Sequence, residues 1–484
     1  MEKARYSSSS GKLSFREKAG YSLGDVAANL VFQMMMIYQL KFYTDVFGLE
    51  GAVAGSILLV APVVSAFADP LAGILTDRTN TRWGKFRPWL LWTAIPFCVF
   101  YVLSFHRPEI KDKSLLAVYA AVSYILLLAM YSFNNTPYAS LGGVMTSNVK
   151  ERTSLNTVRF IASTLAQFAV QGFTLPLVSR LGGSNAARGW SLTILLFSFL
   201  AFVCLLICFA STRERISQPS QQTMSIRSDV KETFGNLSWR VMFFLCFCLY
   251  MALSMFGSSM NFYFQSYLDR HSLFLFLHSV GLAGKESEAY TAGFSLFNAI
   301  SAVAQFIGVL FFSSYFSGKY GRKRVYMVCL LLTFFFQILF YLPSPEDIRE
   351  VYLLCILKSL SYAPTIPLMW AMVADVADYI EYLHHRRATG FCFSGIMFAL
   401  KVGLGCGGAL SGLILSFSGY VSGGVTYQSA SAVWGIRFVS SILPALIFGM
   451  GLLAVCFYPI TPTFNENMQA ELSARRRRKK GNSL

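Results

Sequence analysis

About a dozen apolar runs, each near or above the roughly 20 residues that carry a helix across a bilayer, dominate this chain of 484 residues. They fall at approximately 20–47, 52–76, 88–105, 114–142, 154–179, 190–210, 241–268, 290–316, 325–342, 351–380, 389–417 and 434–458. Backbone inside lipid must satisfy its own N–H and C=O groups, so runs of this length fold as helices. An all-α membrane protein with twelve transmembrane helices is the expectation, and an even number puts both termini on one side. Apolar residues at 55% and charged ones at 13% agree, far from the soluble globular range.

Charge decides which side faces the cytoplasm. The N-terminal tail, the C-terminal tail and the loops after spans 2, 4, 6, 8 and 10 hold 28 Lys and Arg, against 8 in the opposite loops. Both termini are therefore expected in the cytoplasm of a bacterial-type inner membrane. The same bias accounts for the net charge of +17 without nucleic acid as a partner. The run from Arg475 to Lys480 can be read as a nucleic-acid patch, but beside a last span it fits a topology determinant resting on anionic headgroups of the lipid bilayer. The N-terminus is polar up to Gly20, so the first span is expected to direct insertion.

The ten cysteines lie in apolar spans and form no metal-type pairs, and His384-His385 has no carboxylates arranged around it. No nucleophile elbow, zinc-protease or phosphate-loop pattern occurs. We expect no enzyme, no catalytic residues and no cofactor.

The polar stretch from Ser211 to Arg240 divides the spans six and six. It separates a 1–19 tail and a 20–210 half from a 241–459 half and a basic 460–484 tail. Each half carries a basic hairpin between its second and third spans, Asp77 to Arg87 and Gly318 to Arg324. Two six-helix halves with duplicated hairpins resemble the major facilitator fold, in which a substrate site lies between halves near the midplane. The apolar segment from His271 to Gly284 is too short to span; it reads as an external excursion or as an extended helix end.

Several motifs recur in one order: Tyr21-Ser22-Leu23-Gly24-Asp25, Phe42-Tyr43-Thr44-Asp45-Val46-Phe47-Gly48-Leu49, Asp69-Pro70, Arg82-Trp83-Gly84-Lys85-Phe86-Arg87-Pro88 and Ala374-Asp375-Val376-Ala377-Asp378-Tyr379. In these, from about residue 12 to 460, the chain resembles the glycoside–pentoside–hexuronide:cation symporter family of the major facilitator superfamily. The resemblance implies a secondary active carrier importing a sugar, glycoside or hexuronide by alternating access, with H⁺ or Na⁺ as coupling ion, working as a monomer. A lysolipid-handling symporter of the same fold is the alternative that it leaves open.

The site residues follow position by position. A carboxylate at membrane depth is costly and marks an ion or substrate path. Asp69 stands where the resemblance places the second of two coupling-ion carboxylates, and Ser65, four residues earlier on the same expected helix face, replaces the first. Any Na⁺ would sit at Asp69. Asn29 and Asn135 replace sugar-binding carboxylates, with Ser132 one turn before Asn135; the other reading of the two amides is interhelical glue. Arg159 matches a buried cation near the sugar, and Lys401 one between sugar and ion, with Asp69 as its counter-charge. Asp69, Arg159 and Lys401 leave that count leaning positive, which suits a carboxylated sugar. Lys41, near a span end, suits snorkelling. The resemblance also gives Asp375 and Asp378, with Arg386 and Arg387 beyond, a cytoplasmic gate; otherwise they are solvated charges at a helix end.

Overall fold

A computed structural model describes residues 13–146, 149–183, 185–215, 234–384, 389–422 and 428–460, with six further positions between 464 and 472. Among the described residues the chain is helical, with no strand beyond one isolated bridge between Thr81 and Gly84. Among the described residues, ten helical stretches are long and apolar enough to cross a membrane. The expected spans 1 and 9 are helices too, but carry more polar residues: α1 (Phe15–Lys41) contains Asp25, Asn29 and Gln33, and the helix Arg322–Leu339 opens on three cations.

Two compact units make up the chain. Unit one holds Met1–Met35 and Val64–Gln222, and unit two holds Met36–Val63 and Thr223–Leu484. This partition moves residues 36–63, which the sequence groups with the first half, into the second unit. In unit one lie most of α1, then α3 (Ala68–Arg78), α4 (Arg87–Ser104), α5 (Lys113–Met145), α6 (Val149–Gly182) and α7 (Ala186–Ser211). Between Ala68 and its predecessor α2 (Gly51–Ser65) the helix is interrupted at Ala66 and Phe67. Proline at positions 62 and 70, unable to donate to the ladder, flanks that break.

The first basic hairpin is tied down by a carboxylate from beyond α7. Glu214 accepts hydrogen bonds from the backbone N–H groups of Lys85 (2.9 Å), Phe86 (2.7 Å) and Arg87 (2.9 Å). The Phe86 and Arg87 donors belong to the N-cap and first position of α4, and an anion there also meets the positive end of the helix dipole. Gly84 makes the approach feasible: its φ is +111°, and a Cβ would lie 2.4 Å from the Glu214 carboxyl carbon.

Unit two contains α8 (Leu237–Ser266), α9 (Arg270–Ser279), α10 (Ala289–Gly308) continued by a π-helix over Val309–Phe316, α11 (Ser317–Tyr320), α12 (Arg322–Leu339), α13 (Ile348–Tyr362), α14 (Thr365–His384), α15 (Thr389–Phe417), α16 (Ala430–Ser440) and α17 (Ile442–Cys456). Its core is a continuous apolar cluster running from Trp239 on α8 through Tyr326, Met369 and Ile396 to Phe448 on α17. The first part of the 271–284 segment forms the short helix α9, with Leu273 and Leu277 buried. Asp269 caps it, accepting from Ser272 N at 2.7 Å, and the Ser272 side-chain and backbone bonds hold the Asp269 carboxyl below the usual carboxylate range.

Glycines let α2 lie against α15 at backbone distance. A Cβ on Gly412 would stand 2.2 Å from the Gly51 carbonyl oxygen, and one on Gly55 would stand 2.7 Å from that of Ala409. Small residues at such a crossing replace interlocked side chains by direct backbone packing.

Candidate functional site

Polar residues in α1 and α6 recur at helical spacing and meet across unit one. On α1 the stripe is Asp25, Asn29 and Gln33; on α6 it is Arg159, Ser163, Gln167 and Gln171. Steps of four put each set on one helix face. Arg159 Nε lies 4.0 Å from Asp25 Oδ2, with side-chain exposures of 37% and 21%. Ser163 adds a hydroxyl to Asp25. Two turns along α1, Gln171 donates from Nε2 to Gln33 Oε1 at 3.3 Å. Asn29 turns its Nδ2 back along its own helix, to the Asp25 carbonyl at 2.9 Å. Behind the ion pair, Tyr21 and Tyr138 stack with ring centroids 4.7 Å apart.

Asp25 changes the electrostatics expected from sequence. The positive surplus inferred from Asp69, Arg159 and Lys401 omitted a carboxylate that lies next to Arg159. The motif containing Asp25 was in plain view; its spacing to Asn29 and Gln33 was the signal that identifies it as part of the polar face.

On α5, Asn135 is half-buried, whereas Ser132 is buried and donates to the Leu128 carbonyl at 3.1 Å. Asn134, not assigned a role from sequence, is buried and donates to Thr93 Oγ1 at 2.7 Å, an interhelical bond of the glue type. Ser65 ends α2, buried, and Asp69 sits half-buried in the first turn of α3. The two-residue interruption at Ala66 and Phe67 falls between them, within one membrane-length helical stretch from Gly51 to Thr76.

Unit two holds the remaining cations. Lys401 is half-buried in α15. Lys41 does not snorkel. It is buried at the end of α1, its Nζ 2.8 Å from Asp45 Oδ2 and hydrogen-bonded to Gln265, with the Tyr290 and Phe262 rings at 5.2 and 5.6 Å. Tyr420 donates to Asp45 Oδ1 at 3.1 Å, and Thr44 does so at 3.0 Å. The reach of a lysine from a helix end to water was overridden by a carboxylate one turn on, in the π-helix Phe42–Val46. Lys358, buried, and Arg437, half-buried, add two cations that the sequence reading passed over. Lys358, 4% exposed, lies over the Phe256 ring, and Arg437 lies between the Tyr267 and Tyr341 rings.

Of the residues expected at the cytoplasmic end of α14, Asp375 has a partner within unit two. Asp375, buried in α14, receives Arg322 Nη1 on both carboxylate oxygens, at 2.6 and 2.7 Å. Arg322, within the second basic hairpin, opens α12 directly after Gly321, which adopts φ +84°. The pair braces α14 against that hairpin inside unit two. Asp378 is half-buried on α14, and Arg386 and Arg387 lie outside the described residues.

Comparisons with known proteins give the family and the fold. A family model described as MFS/sugar transport protein matches residues 20–462. The inner membrane symporter YicJ of Escherichia coli (strain K12) is 31% identical over 467 residues, covering 96% of each chain. The isoprimeverose transporter of Lactiplantibacillus pentosus is 33% identical over 448 residues, covering 92% of this chain and 88% of that one. Among solved structures, a bacterial homologue of the human lysosomal transporter Spinster superposes with a TM-score of 0.62 at 14% identity, covering 92% of this chain and 98% of that one. Such a likeness carries the fold.

Proposed function

The chain belongs to the MFS/sugar transport family, in its sugar–cation symporter branch, and from that premise we propose that it imports a sugar or glycoside together with H⁺. It is a multi-pass membrane transporter of the major facilitator fold and not an enzyme. The observation that carries the substrate class is the paired polar face of α1 and α6. Apolar helices hold Asp25, Asn29, Gln33, Arg159, Ser163 and Gln171 half-buried or buried on facing stripes, and such residues in a membrane protein face an interior or aqueous path. Hydroxyl-rich molecules both donate and accept, which suits a mixture of carboxylate, guanidinium and amides. A lysolipid tail would gain nothing from these groups.

Asn135 and Ser132 on α5 and Lys401 on α15 complete the substrate set in this reading, and Asp69 with Ser65 carries the ion. One carboxylate suffices for a proton, whereas a hard metal cation wants several oxygen ligands. That asymmetry favours H⁺ over Na⁺. Asp375 with Arg322, and Asp378 nearby, hold the cytoplasmic end of α14 while the carrier alternates, as a monomer with both termini in the cytoplasm.

Reconstituted vesicles test the proposal. A panel of neutral and acidic sugars is offered with an imposed H⁺ or Na⁺ gradient, using the parent and Asp69→Asn. Concentrative uptake of at least one sugar on a proton gradient is expected in the parent. The variant should lose accumulation and keep sugar exchange. Equal accumulation by both proteins removes Asp69 from coupling, and stimulation by Na⁺ alone overturns the choice of ion.

A further inference from the structure

We propose that Lys358 is the centre of an anion site inside unit two, built by α8, α10 and α13, which takes a small monovalent anion such as a halide or a carboxylate. The site is separate from the polar face of α1 and α6, and the inference stands whichever sugar the carrier moves.

Lys358 belongs to the membrane-length stretch Ile348–Leu383 and is 4% exposed. An ammonium at such a place is costly and ordinarily pairs with a carboxylate or a backbone carbonyl. Among the described residues Lys358 Nζ has neither. It stands 3.0 Å from the centroid of the Phe256 ring on α8 and 5.8 Å from that of Tyr362. An aromatic face returns only a small part of what an ammonium loses in leaving water. The neighbouring cations of unit two are answered: Lys41 by the Asp45 carboxylate, Arg437 by the Tyr341 carbonyl.

Hydroxyl donors converge on the same place. Cys355, one turn earlier on α13, interacts with Lys358 and with the side chains of Ser359 and Ser301. Gln305 Nε2 donates to Ser301 Oγ at 3.0 Å, and Ser301 Oγ lies 2.8 Å from Ser359 Oγ. Passed along in that order, the bonds leave Ser359 with a proton to give. Ser258 and Ser361 donate to carbonyls of their own helices; among the described residues Ser301 and Ser359 do not. The Cys355 thiol spends its proton on the Phe297 carbonyl at 3.6 Å, and its sulfur is a weak acceptor.

The place is reachable from one side of α10. Ser301 and Gln305 are half-buried, whereas Val303 and Ile307 are exposed apolar residues. Two residues turn a helix by about 200°, so the open surface of Ser301 and Gln305 lies opposite the apolar face. Polar residues so placed in a membrane protein line an interior or aqueous path. One positive charge and a set of donors suit one small monoanion. A dianion would bring a second negative charge with no cation to meet it.

Purified protein in dodecyl maltoside tests the site. Chloride, bromide, formate or sulfate replaces the bulky HEPES anion at constant ionic strength while the thermal midpoint is followed. Methyl glucuronide, with methyl glucoside as its neutral match, forms a second arm. The parent, Lys358→Met and the double variant Ser301→Ala with Ser359→Ala are compared. The monoanions should raise the parent's midpoint saturably, and sulfate should not. Lys358→Met should lose the response. Loss of a hydrogen bond to a charged group costs about 10- to 100-fold in affinity, so the serine variant should need at least tenfold more anion. A rise given by methyl glucuronide, absent with methyl glucoside and lost in Lys358→Met, assigns the site to a carboxylate of the transported molecule; a rise given by the small ions alone assigns it to an ion of the medium. A parent indifferent to every anion overturns the proposal, as does an equal response to sulfate and chloride or a response that survives in Lys358→Met. If Lys358→Met fails to fold, the parent's anion order and the serine variant decide in the same way.

Discussion

The Lys41–Asp45 pair offers the most quantitative test of how unit two is held together. The charges are 2.8 Å apart, and their side chains are 9% and 8% exposed. At an effective dielectric of about 20, Coulomb attraction at that distance is roughly 6 kcal/mol. Desolvating an ammonium and a carboxylate cancels most of it, so the intact pair contributes little relative to apolar residues of the same shape. Removing one partner is different, because the other charge stays buried. Lys41→Met is expected to cost about 3–5 kcal/mol, towards the lower end because the Tyr420 and Thr44 hydroxyls still donate to Asp45. Asp45→Asn leaves Lys41 with Gln265 and two aromatic faces and should cost about 2–4 kcal/mol. The double variant should return to within about 1 kcal/mol of the parent, a coupling of several kcal/mol. Reversible unfolding in dodecyl maltoside by titration with sodium dodecyl sulfate, followed by tryptophan fluorescence, measures all four. Single variants within about 0.5 kcal/mol of the parent, or a double variant equal to the sum of the singles, would refute the reasoning.

Two further outcomes follow from the hairpin ties. Glu214→Ala orphans three backbone N–H groups at the start of α4 and should cost about 1–3 kcal/mol, with faster tryptic cleavage at Arg82, Lys85 or Arg87; an unaltered cleavage pattern counts against the tie. Asp375→Asn weakens a pair whose arginine is 45% exposed, so the loss should be nearer 1–2 kcal/mol, and Arg322→Gln should give a similar loss that is not additive with it; full additivity in uptake and thermal midpoint would show that the two act separately.

Much of the fold was legible because lipid leaves so few options: long apolar runs must be helices, and basic loops mark one side. Breaks inside those runs were harder to place. The prolines at 62, 70 and 364 were visible, yet whether each kinks, ends or merely bends a helix depends on neighbours that re-satisfy the freed groups. Resemblance nominated Asn29, Asn135, Arg159 and Lys401 position by position but could not nominate what the pattern lacks. Asp25 lies inside a quoted motif, and only the facing stripe on α6 gives its carboxylate a partner. Lys358 escaped for the opposite reason: a lone lysine in an apolar run has no periodicity, and its stabilising partners are aromatic rings contributed by α8 and by its own helix. Asp375 was recognised, while its partner came from a hairpin some fifty residues upstream that charge patterning had already assigned to topology.

The glycine crossing of α2 and α15 has a mechanical meaning. Helices that interlock through ridges and grooves resist sliding, since every step lifts side chains out of one set of notches and into another. Where Gly51 and Gly55 face Ala409 and Gly412 there are no notches to climb; the two backbones touch along a nearly smooth track. Movement over those four residues disturbs few side chains, until Leu58, whose side chain is seated against Gly408 farther along α2, must lift from its place. Movement away from it strips close backbone packing all at once. The crossing therefore behaves as a bearing, permissive in shear and stiff against separation.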